Sequence, residues 1–169
     1  DWVFSGFRTG LPAQADLSFS SDQITHKGIQ VTAGAEVTVH GVSRAAETAD
    51  AFLGLPSDIL GSQYLVLAYK NLDKNANAFE TFPGAEFAVV ATHDATVVTI
   101  TPSVTTGTRA AGVPYVVTLN QGETYLLQNS GGEANDLSGT IVVASQPIGV
   151  FGGHAAANIP APAVAFADY

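Results

Sequence analysis

Four histidines have the side chains with the most versatile chemistry in this sequence: His26, His40, His93 and His154. An imidazole can ligate zinc or exchange protons near neutral pH. A zinc site needs three or four converging ligands, and the chain has neither the H-x-H nor the H-E-x-x-H spacing. His26 and His93 fall in predicted turns, and His40 and His154 follow predicted strands. We therefore expect no metal site from the histidines.

Several aspartates in predicted loops could in principle chelate calcium: Asp50, Asp58, Asp73, Asp94 and Asp136. A calcium loop places its carboxylates at alternate positions, and no D-x-D-x-D spacing is present. Aspartates in turns commonly accept hydrogen bonds from the backbone two residues on. We predict such Asx turns here and no calcium site.

The sequence also lacks the usual patterns of catalysis. It contains no cysteine nucleophile, no G-x-S-x-G elbow and no phosphate-cradling glycine loop. A pair of carboxylates for glycoside hydrolysis stays open, because its two members can be distant in sequence. Charged residues make up only 12% of the chain, which leaves little material for a buried acid pair and its supporting groups. We predict a non-enzymatic protein without catalytic, cofactor-binding or metal-binding residues.

Composition narrows the class of protein further. The 169 residues are 46% hydrophobic and carry 15 acidic against 6 basic side chains, a net charge of −9. This balance argues against nucleic acid or anionic lipid as a partner, because both require phosphate neutralisation. No apolar run approaches the roughly 18 residues of a membrane-spanning helix, so we expect no membrane insertion. Methionine is absent even at position 1, which indicates processing or trimming before Asp1, and any signal peptide would already be gone.

The elements that position these residues are short β-strands. Val, Ile and Thr are dense in the second half, and turn residues recur every 8–12 positions or so. No helical periodicity extends beyond one or two turns. The pattern predicts an all-β protein, a β-sandwich. Strands are expected over residues 64–69, 86–91, 96–101, 115–119, 124–128, 140–144 and 148–151.

Turn chemistry leads to several local predictions. Residues 29–33 and 37–41 alternate in polarity and are expected to form a hairpin, with a turn at residues 33–35. The loops at 120–123 and 145–147 are also expected to close hairpins, the first with Gly122 at positive φ. Pro56 with Ser57 and Asp58 predicts a turn or one helical turn, which Ser57 could cap. Pro102 ends the strand before it.

An internal similarity suggests a duplication. The sequence IQV, a turn and VTVHG near the start match IVV, a turn and IGVFG near the end, about 112 residues later. We therefore divide the chain into a first β-unit at 1–84 (a partial repeat), a second β-unit at 85–154 and an extended C-terminal arm at 155–169.

The segments GIQVTAGAEVTVHGVS, DAFLGLPSDILGSQYLVLAY, EFAVVATHDATVVTITP, VTLNQGETYLLQ, DLSGTIVVASQPIGVFGGH and NIP occur in this order. Together they resemble the IgGFc-binding protein N-terminal domain family over roughly residues 24–169. The family occurs in a mucus-associated IgG Fc-binding protein of animals and in large bacterial surface or secreted proteins. The resemblance implies an extracellular β-sandwich module used in adhesion or matrix association, and it does not imply antibody binding here.

The chain departs from the family pattern near its end. Similar sequences usually carry a cysteine where this chain has Ala156, another where it has Ala167, and a histidine where Tyr169 follows Asp168. The disulfide that would tie the arm down, worth about 2–4 kcal/mol, is therefore absent. We expect packing or a neighbouring subunit to hold the arm.

These observations favour a structural or adhesive module that mediates protein–protein association. Strands 96–101 and 140–144 contain no charge and would attract another chain if they lay at a free sheet edge. We therefore expect self-association as a subunit of a surface assembly or fibre, or binding to surface glycoproteins. The alternative is a carbohydrate-binding module, which needs a row of exposed aromatics. The candidates for such a row are scattered: Trp2, Phe79, Phe82 and Tyr115.

Overall fold

The structure of the protein is a computed structural model that describes residues 2–4, 21–44, 49–71, 84–129, 131–132 and 134–154. The predicted arm at 155–169, with Ala156, Ala167, Asp168 and Tyr169, lies outside the described residues. So do Asp73, Phe79 and Phe82. The division at 84 stays a prediction, as does the duplication behind it.

The described residues form twelve strands and one short 3-10 helix. In chain order these are β1 (Trp2–Phe4), β2 (Gln23–Thr25), β3 (Ile29–Val31), β4 (His40–Arg44), β5 (Ala49–Leu53), the 3-10 helix (Ser57–Ile59), β6 (Gln63–Leu65), β7 (Ala85–Ala91), β8 (Thr96–Thr101), β9 (Tyr115–Leu119), β10 (Thr124–Gln128), β11 (Ile141–Ala144) and β12 (Ile148–His154).

Two antiparallel sheets form the body. One has three strands in the order β10-β7-β12, and the other has four in the order β6-β11-β8-β9. Side chains from both sheets meet in one buried cluster, with Phe87 and Val89 from the first and Val98 and Ile100 from the second. The predicted all-β sandwich is confirmed. The strand β6 lies before residue 84, yet it pairs with β11 in the four-stranded sheet.

Three short turns at one end carry the chain from one sheet to the other. They lie at residues 92–95, 120–123 and 145–147, between β7 and β8, β9 and β10, and β11 and β12. Hydrogen bonds join them: Gln121 N donates to Asp94 Oδ1 at 3.0 Å, and Thr92 Oγ1 donates to Pro147 O at 2.5 Å. The predicted hairpins at 120–123 and 145–147 are therefore wrong, because their two legs belong to different sheets. Gly122 does have the predicted positive φ, at 78°.

The first part of the chain adds two small sheets. The strand β3 pairs with β1, and β4 pairs with β5. The predicted hairpin between 29–33 and 37–41 is wrong, since residues 36–39 form no strand and β3 takes a distant partner. Alternation of polarity marks a strand but does not select the strand it pairs with. The ring of Phe52 on β5 packs edge-on against Phe151 of β12, with centroids 5.7 Å apart.

The predictions made from local turn residues are confirmed only in part. The helical turn after Pro56 is present as the 3-10 helix, but no side chain caps it, so the predicted Ser57 cap is wrong. The strand expected over 64–69 is short and spans Gln63–Leu65. The predicted end of β8 before Pro102 is confirmed.

Candidate functional site, an uncharged sheet face

The outer face of the four-stranded sheet is the most distinctive surface of the described chain. Side chains alternate along its strands, so every second residue points away from the core. We call this surface the open face, and it comprises Gln63, Leu65, Val97, Thr99, Thr101, Val116, Thr118, Ile141 and Val143.

The strand register places these side chains in rows across the sheet. Ile141 lies between Leu65 and Thr101. Val143 likewise lies between Gln63 and Thr99, and the row continues to Val116. Directly opposed β-branched side chains pack against one another, which makes the surface flat and stiff.

The apolar members of the open face are accessible to solvent. Leu65 is 62% exposed, Val116 58% and Ile141 48%. The corresponding outer face of the three-stranded sheet is covered: Ala88 and Leu126 there are fully buried. One side of the sandwich is therefore closed by its own chain, and the other presents apolar groups to solvent.

Charge is absent from the open face. The strands β6, β8, β9 and β11 read QYL, TVVTIT, YVVTL and IVVA, without a single ionisable group other than two tyrosines. In a chain of net charge −9, this makes the open face a neutral area on an acidic protein. Four strands about 4.8 Å apart and about 17 Å long give it an area of roughly 300 Å². Exposed apolar areas of this size on monomeric proteins are often functional.

The uncharged strands are not sheet edges. The expected attraction of another chain to 96–101 and 140–144 depends on their lying at a free edge, but β8 lies between β11 and β9, and β11 lies between β6 and β8. Both strands have their backbone groups bonded on both sides, so the edge interpretation is wrong for them. Their exposed side is a face. The sequence contained a sign of this, since Val97, Ile141 and Val143 put apolar residues on both sides of their strands.

The described histidines and aspartates do not gather into a metal-binding group. His26 is 83% exposed and its Nε2 lies 3.2 Å from Glu123 Oε1, whereas His154 is buried and stacks edge-on against Tyr69. Within the described ranges, no three His, Cys, Asp or Glu side chains group as metal ligands would. Asp136 forms the predicted Asx turn, because its Oδ1 accepts from Ser138 N at 2.8 Å.

A polar cluster that sequence reasoning missed joins four distant residues. The guanidinium of Arg109 donates to both carboxylate oxygens of Asp22 at 2.9–3.1 Å, and Tyr125 OH donates to Asp22 Oδ1 at 2.7 Å. The phenol oxygens of Tyr115 and Tyr125 are 2.7 Å apart, and Arg109 stacks 4.1 Å above the Tyr115 ring. Sequence separations of 87 and 103 residues left no local signal of this cluster.

The environment of the cluster shifts its ionisation. Burial raises the pKa of Tyr115 to about 12, although its bond to Tyr125 opposes the shift. Burial also raises the pKa of Tyr125, and its bond with Tyr115 adds to the rise. The hydrogen bond to Asp22 raises the pKa of Arg109. Both phenols therefore stay neutral at physiological pH, and Tyr115 packs within the cluster instead of standing free as a sugar-stacking platform.

Fold and surface together define an antiparallel β-sandwich with one open, uncharged sheet face. Comparison with protein families matches residues 50–169 to the family described as IgGFc binding protein. The match spans well over half of the sequence, and the chain belongs to this family. Searches of curated proteins and of solved structures find no match. Along the described segments, no helix is long and apolar enough to cross a membrane.

Proposed function

We propose that this chain is a non-enzymatic, extracellular or cell-surface module that is structural or adhesive and associates with protein partners, first with other copies of itself, through the open face. The observation that carries the proposal is the exposed, charge-free array of Val, Leu, Ile and Thr side chains on the four-stranded sheet. Membership of the IgGFc binding protein family supports protein binding in general and an extracellular setting.

The physical driving force is burial of the open face. At roughly 25 cal/mol per Å² of apolar surface, covering about 300 Å² on each of two partners stabilises the complex by at most about 15 kcal/mol before costs, because part of the face is polar. Lost translational and rotational freedom costs about 4–15 kcal/mol, and a typical partner surface is about 800 Å². The open face is less than half of that typical surface, and a single contact is therefore weak. In a fibre or surface array, many such contacts would act together and strengthen the association.

Charge gives the association a characteristic salt dependence. Two copies that each carry −9 repel one another outside the neutral face. Salt screens this repulsion, since the Debye length falls to about 10 Å at 0.1 M. Self-association should strengthen with ionic strength, whereas attraction to a basic partner would weaken.

The direct test is sedimentation equilibrium of the chain from micromolar to millimolar concentration, with electron microscopy for fibres. Val116→Lys and Val143→Lys place a charge on the open face without touching the core. Each should weaken association at least tenfold, because the charge must be desolvated on binding. Val37→Lys is the matched control: Val37 is 40% exposed and lies in a loop outside the sheet.

The same variants also test for binding to other partners. Immunoglobulin Fc, surface glycoproteins and free glycans are offered to the wild type and to the two face variants. Loss of Fc or glycoprotein binding in the face variants would support a protein-binding face with another partner than the chain itself. Strong binding of a free glycan, unchanged in both variants, would favour the carbohydrate-binding alternative.

A further inference from the structure

The edge of the three-stranded sheet is covered by a segment from the start of the chain. Residues 21–28, which we call the strap, follow β10 in the opposite direction. Asp22 N donates to Leu126 O at 2.7 Å, and Gly28 N donates to Gly122 O at 3.0 Å. Between them, the Oγ1 atoms of Thr25 and Thr124 are 2.8 Å apart. The strap thus takes the place of a further edge strand.

The strap is held by polar contacts. Ser21 Oγ accepts from Gln128 N at 3.0 Å, and Thr124 Oγ1 donates to Thr25 O at 3.2 Å. Ile24, its one large aliphatic residue, is 45% exposed. Little apolar area therefore fixes the strap to the body, and segments of this kind open at low cost.

An ion pair locks the start of the strap. Asp22 receives the two-nitrogen contact from Arg109 and the hydroxyl of Tyr125. Its φ is +56°, a left-handed conformation that is uncommon outside glycine and in which aspartate is among the more tolerant residues. The strap is specific as well as polar, because five of its positions (21, 22, 25, 26 and 28) each have a defined partner on β10 or beside it.

We propose that the strap exchanges between copies of this chain, so that residues 21–28 of one copy cover β10 of another. The best occupant of this edge is a segment with the same residues in the same register, and a second copy supplies one. The connection to β4 permits the exchange: residues 32–38 are all exposed and form no strand. Extended at about 3.3 Å per residue, they reach roughly 23 Å.

Exchange keeps every strap contact and only changes which chain supplies it. The dimer is therefore favoured by concentration, and the Asp22–Arg109 lock controls how fast it forms. The exchange rests on the proposed self-association, but it uses a different surface from the open face. Higher salt should speed it, because both members of the ion pair are partly accessible.

Cysteine substitutions test the exchange cleanly, because the chain has no cysteine of its own. Thr25→Cys and Thr124→Cys are made in separate chains, mixed at millimolar concentration and oxidised. Exchange predicts a yield of covalent heterodimer at least several-fold higher than that from a mixture of Thr38→Cys and Thr124→Cys chains. That second mixture measures the yield from random collision. Asp22→Asn in the Thr25→Cys chain should raise the rate of its formation several-fold.

The double variant Thr25→Cys/Thr124→Cys at low concentration is the folding control and should form a disulfide within one chain. If that bond forms, and the mixed single variants give no more dimer than the collision control, strap exchange is wrong. Adding Val116→Lys separates the two proposals. If the Val116→Lys chains still cross-link and associate as strongly as the wild type in sedimentation, the open-face proposal is wrong and strap exchange stands. If the chains associate but the cross-link does not form, strap exchange is wrong and the open-face proposal stands.

Discussion

Replacement of Asn71 should destabilise the sandwich more than any exposed polar substitution. Asn71 is buried where β7 and the loop after β10 meet, and its amide makes three hydrogen bonds. Oδ1 accepts from Ala85 N at 2.5 Å, and Nδ2 donates to Asn129 O at 3.0 Å and to Gly131 O at 2.9 Å. The amide therefore reinforces the junction between the start of β7 and residues 129–131, where Asn129 N also donates to Ala85 O at 2.9 Å.

The magnitude follows from what Asn71→Ala leaves behind. The buried Ala85 N–H loses this acceptor, which costs about 1–3 kcal/mol. Asn129 O keeps a second donor, Gly84 N at 3.0 Å, and Gly131 is half-buried and can be hydrated. The two carbonyls add about 1 kcal/mol together. We expect a loss of about 3 kcal/mol from a domain whose total stability is on the order of 5–15 kcal/mol.

Urea denaturation followed by tyrosine fluorescence or circular dichroism measures this loss as a shift of the midpoint at constant slope. Asn71→Asp keeps the volume and the acceptor but turns an oxygen toward two carbonyls, so it should cost at least as much at neutral pH. Asn120→Ala is the control, since its exposed side chain makes one 3.2 Å bond to Ala95 N. An Asn71→Ala midpoint within error of the control would refute the reasoning.

Two further predictions concern a close backbone contact and the polar cluster. Gly152→Ala should destabilise the protein by about 1–3 kcal/mol, because a Cβ there would collide with the backbone carbonyl of Leu67. Thermal unfolding measures this loss. Gly34→Ala is the control and should cost far less, because Gly34 has open space around it. In alkaline titration, Tyr115 should stay neutral above the ordinary tyrosine pKa of about 10 and ionise near its raised pKa of about 12. Because the folded state favours the neutral phenol, the contribution of Tyr115 to stability is complete below about pH 10 and is lost as pH rises toward 12. Ultraviolet absorbance follows the ionisation of the phenol. Tyr115→Phe should remove the component of the absorbance change near pH 12.

Much of the second half could be predicted from the sequence at the level of single strands. The bounds of β8, β9 and β10 agree with the predicted ones residue for residue. Dense β-branched residues, a period of two and a proline stop determine these local features. The positive φ of Gly122 followed from the same kind of local reasoning.

The pairing of strands could not be predicted in this way. A tight turn reverses the chain, but it does not determine whether its two legs bond side by side or face each other across the core. At 120–123 and 145–147 they face each other, because the inward side chains of both legs fill the gap between the sheets.

The candidate site could not be predicted either, because it also depends on how the strands pair. The lack of charge in strands 96–101 and 140–144 was visible in the sequence, but their central place in the sheet depends on distant partners such as β6 and β9. The Asp22–Arg109 pair was invisible for a related reason, since it depends on how the strap lies along β10.

The proposed function requires that self-association buries the open face. Nuclear magnetic resonance of valine methyl groups, recorded as the chain is concentrated, measures this directly. We predict shifts at Val97, Val116 and Val143, and unchanged signals from Val42, which is 60% exposed on β4 and lies outside this sheet. Association that shifts Val42 and leaves the three open-face valines unchanged would contradict the proposed function.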